Sequence, residues 1–124
     1  MAKQIKIHFD NNATITCDVA VTYEARQKGL RRFPTLEENH GLLFIYEDMQ
    51  APPLPLFWNK GVLYDIEILY LGQDMKIAGV NFLKAGSSDV AMTKVPTKYI
   101  VEVPAGTLER LSLNVSSQIT SFED

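Results

Sequence analysis

FWNKGVLYDIEILYL, residues 57–71, is the stretch whose reading decides the fold. It holds the sole tryptophan, Trp58, then a turn at Asn59-Lys60-Gly61, then an apolar run carrying two carboxylates. Asp65 to Leu71 reads as a core strand, rich in isoleucine, leucine and tyrosine. Asp65 and Glu67 are two positions apart, so on a strand they share one face. Such a pair could bind a cation, or split its pKa values into an acid and a base. The plainer expectation is that one carboxylate receives backbone N–H groups while the other faces solvent.

Moving outward, Gly72-Gln73-Asp74 turns this strand into a hairpin partner, Met75 to Val80. Upstream, Leu42 to Tyr46 (LLFIY) is a short continuous apolar run, expected of a strand covered on both faces. Between them, residues 47–55 include Pro52, Pro53 and Pro55, which predicts a stiff, extended connector. At the start of the chain, Gln4 to Phe9 alternates Ile5, Ile7 and Phe9 against polar residues. Asp10-Asn11-Asn12 predicts a tight turn into a return strand, Thr14 to Val21. That strand aligns Ile15, Cys17, Val19 and Val21 on one face, so Cys17 is expected in the core rather than as a nucleophile. His8 is expected on the wet face, and His40 in a loop.

Thr22 is a suitable N-cap and Gly29 a suitable terminator for a helix of about two turns. Pro34 is expected to open a second short turn through Asn39, broken by Gly41. The segment 84–96, with Gly86-Ser87-Ser88-Asp89 at its centre, reads as a mobile surface loop. Tyr99 to Val103 reads as another strand. Thr107 is expected to N-cap a short helix from Leu108 to about Leu113, and Ser117 to Phe122 to form the last strand. The fold class expected is mainly β (α+β): a small, mostly antiparallel, twisted sheet or barrel of seven or eight short strands with two or three short helices. The absence of a repeated strand–helix–strand rhythm argues against a parallel sheet.

The chain of 124 residues, 46% hydrophobic and 22% charged, has the balance of one globular domain over residues 1–124. A net charge of −3 lacks the basic stripe of a nucleic-acid binder, and Lys28, Arg31 and Arg32 read as a solvated face by a helix end. One cysteine allows no internal disulfide. With neither an export signal nor a membrane-length apolar run at the sequence level, the expected location is cytoplasmic, or packaged with an assembly made there.

No phosphate-binding loop, dinucleotide fingerprint, HExxH, GxSxG or CxxC occurs. Two distant histidines and one core cysteine are too few nitrogen and sulfur ligands for zinc. No metal or other cofactor is expected, and no catalytic residue stands out. The candidate ligand-binding residues are Trp58, Lys60, Asp65 and Glu67. Arg26 and Glu102 form a candidate structural pair.

Three segments taken together resemble one known family. Val19-Ala20, Thr22, Arg26, Gly29-Leu30 and Gly41-Leu42-Leu43-Phe44 look like the opening signature of the domain of unknown function 192 (DUF192) family. Phe57-Trp58, Lys60 and Asp65-Ile66 are similar to its central signature, and Tyr99 to Gly106 (YIVEVPAG) to its closing one. The resemblance runs from about Val19 to Phe122. It implies a compact β-rich fold with short helices and brings no activity with it. The central signature departs from the family pattern: Trp-Met-Lys-Asn-Thr becomes Trp58-Asn59-Lys60-Gly61-Val62, and Asp65 arrives about two residues early.

The function expected is a non-catalytic binding or assembly module, such as an accessory component of a larger protein particle. It would work through protein partners or self-association, not through nucleic acid or membrane. The alternative is a small-molecule or cation-binding protein, and less so a hydrolase, with a pocket near Trp58, Lys60 and Asp65.

Overall fold

The structure, a computed structural model, describes residues 3–50 and 56–124. Among the described residues nine strands form: β1 Gln4–Phe9, β2 Thr14–Ala20, β3 His40–Gln50, β4 Leu56–Phe57, β5 Ile66–Leu71, β6 Ile77–Leu83, β7 Ala91–Met92, β8 Thr97–Pro104 and β9 Ile119–Glu123. Two short helices, α1 Tyr23–Lys28 and α2 Thr107–Arg110, and a 3-10 turn at Gly29–Arg32 complete the set. Seven strands make one sheet in the order β6-β5-β8-β3-β2-β1-β9, and β4 and β7 make a separate two-stranded ribbon. Every pairing is antiparallel except β2 with β3, which α1 and the 3-10 turn connect as a crossover. The expected mainly β, mostly antiparallel architecture is therefore what forms.

The sheet is open. Its edge strands β6 and β9 are tied by an isolated bridge, Lys76 with Gln118. Beside that bridge, the Ile77 and Ile119 N–H groups donate to the Ser117 and Met75 carbonyls at 2.8 and 2.9 Å.

The central strands explain their own composition. Along β3, β5 and β8, side chains alternate between two apolar layers, so both sets must be apolar. Leu43, Leu69, Leu71, Val101 and Val103 join Ile5, Ile7, Ile15, Cys17, Ile77 and Ile119 in an inner layer. Leu42, Phe44, Ile66, Ile68, Tyr70 and Ile100 point the other way. There they meet Leu30 of the 3-10 turn and Val62, with Ala25 and Phe57 packed alongside. Each fully buried leucine or isoleucine contributes roughly 1.5–3 kcal/mol of transfer free energy. Cys17 is fully buried, as its place in the alternation requires.

Several local expectations hold. The Thr22 hydroxyl accepts from the Ala25 N–H at 3.0 Å, and Gly29 ends α1 with φ 50. The β1–β2 and β5–β6 hairpins form.

Other expectations need correction. β3 runs on to Gln50, so Glu47–Gln50 are strand rather than connector, and His40 starts a strand rather than sitting in a loop. The register of β3 against β8 shifts between Ile45 and Gln50, which is how so long a strand stays paired. The prolines at 52, 53 and 55 lie outside the described residues. The second helical turn precedes Pro34, at Gly29–Arg32. Val21 lies beyond β2 and is 56% exposed. The segment 84–96 contains β7, which pairs with β4. Thr107 is the first residue of α2 and not its cap, which is Gly106.

Candidate functional site

The four residues nominated around the central stretch divide into two kinds. Glu67, on β5, spends its carboxylate on the backbone of α2. Its Oε2 accepts from the Gly106 N–H at 3.1 Å and its Oε1 from the Leu108 N–H at 3.0 Å. Gly106 adopts the left-handed conformation, φ 93, and carries no side chain to cap the helix. A strand residue therefore satisfies amides that an N-cap would ordinarily take. Asp65 does a similar task at the other end of the neighbouring loop, where its Oδ1 accepts from the Ala85 N–H at 2.8 Å. Both carboxylates thus receive backbone amides.

Trp58 and Lys60 belong to the surface. Trp58 is 54% exposed, and the Lys60 ammonium lies 5.7 Å from its ring centroid, a cation–π contact. The register of the ribbon pairs Leu56 with Met92 and Phe57 with Ala91. Phe57 turns inward onto Phe44, edge to face at 5.2 Å. Alternation then places Trp58 and Val90 on the outward side, and Val90 and Met92 are exposed. Phe82 of β6, 51% exposed, borders the same region. With Val90, Lys84 and Asp89 it lines a hollow of about 330 Å³.

Asn59, between the tryptophan and the lysine, is fully buried. Its amide donates to the carbonyls of Tyr64 and Lys84, both at 2.9 Å, and its Oδ1 has no partner among the described residues. Sequence reading treated Asn59 as one residue of a turn. Its replacement of a hydrophobic signature residue was the available signal.

Arg26 and Glu102 are close in the fold without forming an ion pair. The Arg26 guanidinium donates to the Val21 carbonyl at 2.6 Å and the Ile45 carbonyl at 3.4 Å, and lies 4.8 Å from the centroid of the Tyr46 ring. Glu102 lies mid-sheet on β8, beside Leu42 of β3 and Ile68 of β5. It is 3% exposed, and no hydrogen bond or ion pair reaches its carboxyl from the described residues. Burial pushes the Glu102 pKa up to about 8. Tyr46, Tyr64 and Tyr70 are each pushed up to about 12, first by their own burial, with the Glu102 charge adding to it. Arg26 acts in the opposite sense on Tyr46, so this phenol senses both charges. Tyr64 donates to the Phe33 carbonyl at 2.9 Å, and the Tyr70 hydroxyl accepts from the Asn81 amide at 3.0 Å. A buried carboxyl among phenols is thus the most perturbed group on the outer layer. The sequence marked Glu102 only as a candidate structural partner of Arg26.

Among the described residues no group of three His, Cys, Asp or Glu side chains is placed to hold a metal ion. No described helix is long and apolar enough to cross a membrane.

The DUF192 family model, described as an uncharacterized ACR, matches residues 5–121. No curated protein matches the chain. Two crystal structures share the fold. One, of a candidate transcription regulator from Sinorhizobium meliloti 1021, aligns with TM-score 0.82 and 21% identity over 99% of this chain and 93% of its own. The other, of a protein of unknown function from Novosphingobium aromaticivorans, gives TM-score 0.81 and 17% identity over 97% and 85%.

Proposed function

The chain belongs to the DUF192 family, and on that premise we propose that it is a non-catalytic binding module whose outer ribbon docks a protein partner. The observation that carries the reading is the exposure of Trp58, Val90 and Met92 on the β4–β7 ribbon, next to a hollow that Val90 lines together with the exposed Phe82 of β6. Single exposed apolar residues are ordinary on a soluble surface, but several on adjoining elements are the usual mark of a contact surface, and tryptophan is a frequent anchor. The corner includes β6, an edge strand whose residues Ile77–Leu83 carry no charge. Charged side chains are a common device for keeping such edges unpaired.

The other reading, a small-molecule or cation site formed by Trp58, Lys60, Asp65 and Glu67, has less support, because both carboxylates already accept backbone amides. Within the docking reading, an assembly component and a regulatory adaptor would use the same corner.

The test pairs light scattering with photo-crosslinking from a probe at position 90. Wild-type protein crosslinks a saturable partner, or a second copy of itself. Phe82→Asp with Met92→Asp abolishes this while circular dichroism and the melting midpoint stay unchanged. A wild type that is strictly monomeric and crosslinks nothing would overturn the proposal, as would a double variant that still captures the same partner.

A further inference from the structure

We propose that the docking corner takes an acidic, extended segment of a partner protein, whose carboxylates pair with Lys60 and Arg31 while an apolar residue covers Trp58. The inference rests on the docking reading and names the chemistry of the partner.

The turn that carries Trp58 and Lys60 is stitched to the loop after β6. The Asn59 N–H donates to the Ser87 carbonyl at 3.1 Å, the Asn59 side-chain amide to the Lys84 carbonyl at 2.9 Å, and the Gly86 N–H to the Val62 carbonyl at 2.8 Å. Within the turn the Val62 N–H donates to the Asn59 carbonyl at 3.0 Å, and Gly61 supplies a left-handed φ of 82. Asn59 is fully buried, so exposed Trp58 and Lys60 flank an anchored residue. A surface fixed before contact loses less freedom on binding.

Arg31 joins them from the 3-10 turn. A side chain begun at Gly61 would place its first carbon 3.1 Å from Arg31 Cδ and 3.3 Å from its Cγ, so the Arg31 stem lies against the glycine. The guanidinium donates to the Gln27 and Lys28 carbonyls at 2.7 and 3.3 Å. Arg31 and Lys60 are both exposed, and neither forms an ion pair among the described residues. The acids on the adjoining segments are engaged or offset. Glu24 pairs with Lys28 at 3.2 Å, and Asp65 accepts from the Ala85 N–H. Asp89 shares its hollow with Lys84.

The Trp58 side of the corner is thus cationic on a chain whose net charge is −3. An acidic segment is repelled by the molecule as a whole and attracted here, which gives it both place and register. The exposed Trp58, Val90 and Met92 add an apolar contact that a free anion would not use. Two cations are too few for the phosphate ladder of a nucleic acid.

Trp58 is the sole tryptophan, so its emission reports on this corner alone. Titration with a glutamate–leucine copolymer should shift that emission to shorter wavelength and saturate. Raising the salt to about 1 M, where the Debye length is about 3 Å, should weaken binding roughly tenfold. Lys60→Glu should lose roughly tenfold in affinity, and Lys60→Glu with Arg31→Glu should abolish the shift while circular dichroism stays unchanged. If the double variant fails to fold, Lys60→Glu alone, on an exposed turn, decides. A lysine–leucine copolymer and oligothymidylate should leave the emission unchanged.

No shift with the acidic copolymer, binding undiminished by salt or by Lys60→Glu, or an equal shift with the basic copolymer would overturn the inference. So would an equal response to oligothymidylate, which would assign the corner to nucleic acid. A wild-type dimer that Lys60→Glu dissociates would assign it to a second copy and overturn the inference as well. These readings need no natural partner, so they stand apart from crosslinking at position 90. A partner captured there equally by wild type and by the Lys60→Glu, Arg31→Glu protein would keep the docking reading and remove its acidic character.

Discussion

The two faces of the same three central strands are built to different rules. The inner layer is mostly apolar: Leu43, Leu69, Val101 and Val103 share one cluster with the Cys17 thiol, whose pKa burial pushes well above its ordinary value. The outer layer has the same isoleucines and leucines but also holds Glu102 and the phenols of Tyr46, Tyr64 and Tyr70. Strand alternation separates them by a single residue, Val101 inward and Glu102 outward. Packing alone explains the inner face. It does not explain a carboxyl at the centre of the outer one, and a feature that costs stability and serves no packing purpose is where function is sought.

The comparison can be broken most severely by moving the carboxyl one residue. Val101→Glu places it in the inner layer, among Leu43, Leu69, Val103 and the Cys17 thiol. The expected cost is on the order of 5 kcal/mol, enough to leave the protein unfolded by circular dichroism at 25 °C. Glu102 itself is tolerated at the adjacent position.

The next effect is in pH. The folded-state pKa of Glu102 is raised from 4.5 to about 8. For an acid this means the folded state holds a proton that the unfolded chain has given up. The penalty is absent below the unfolded value, grows as pH rises between 4.5 and about 8, and is complete above that. The phenols facing it, Tyr46, Tyr64 and Tyr70, stay neutral throughout this window. Glu102→Gln should remove the decline, with a gain of a few kcal/mol at pH 8.5 and little change at pH 4.5. Urea denaturation of both proteins at the two pH values measures it, and parallel curves would count against the buried-acid description.

The smallest effect concerns a carboxylate on the inner side of the comparison's boundary. Glu67→Ala frees the amides of Gly106 and Leu108 and should cost about 1–2 kcal/mol. Hydrogen exchange should speed up in α2 and not in α1, whose cap is its own Thr22. Equal exchange in both helices would show that the Glu67 contact does not matter.

What was legible in the sequence follows from the range over which each signal acts. The LLFIY run, the Ile5-Ile7-Phe9 alternation and the Thr22 and Gly29 caps are decided within a few residues; β1 and α1 formed at the expected bounds, and the LLFIY run lies inside the longer β3. The β4–β7 ribbon was not legible, because two paired residues on each side have no periodicity to detect. Glu67 was read as one of a pair of site carboxylates, since its amide partners lie 41 and 39 positions away. Asn59 looked like a turn residue, and only the fold brings the Tyr64 and Lys84 carbonyls onto its amide. Glu102 was paired with Arg26, but whether the two meet depends on where Arg26 spends its donors, which is on the Val21 and Ile45 carbonyls.

The position of β8 also has a kinetic consequence. The β1–β2 and β5–β6 hairpins join neighbours in sequence and can close in microseconds. β8 lies between β5 and β3, both made earlier in the chain, so the sheet has no continuous middle until β8 arrives. Until then β3 and β5 each present an unpaired apolar edge to the solvent and to each other. Pairing β8 with strands made so much earlier in the chain raises the contact order, which slows folding in general. The strand that carries Glu102 is the one whose arrival turns two separate hairpins into a single cooperative unit.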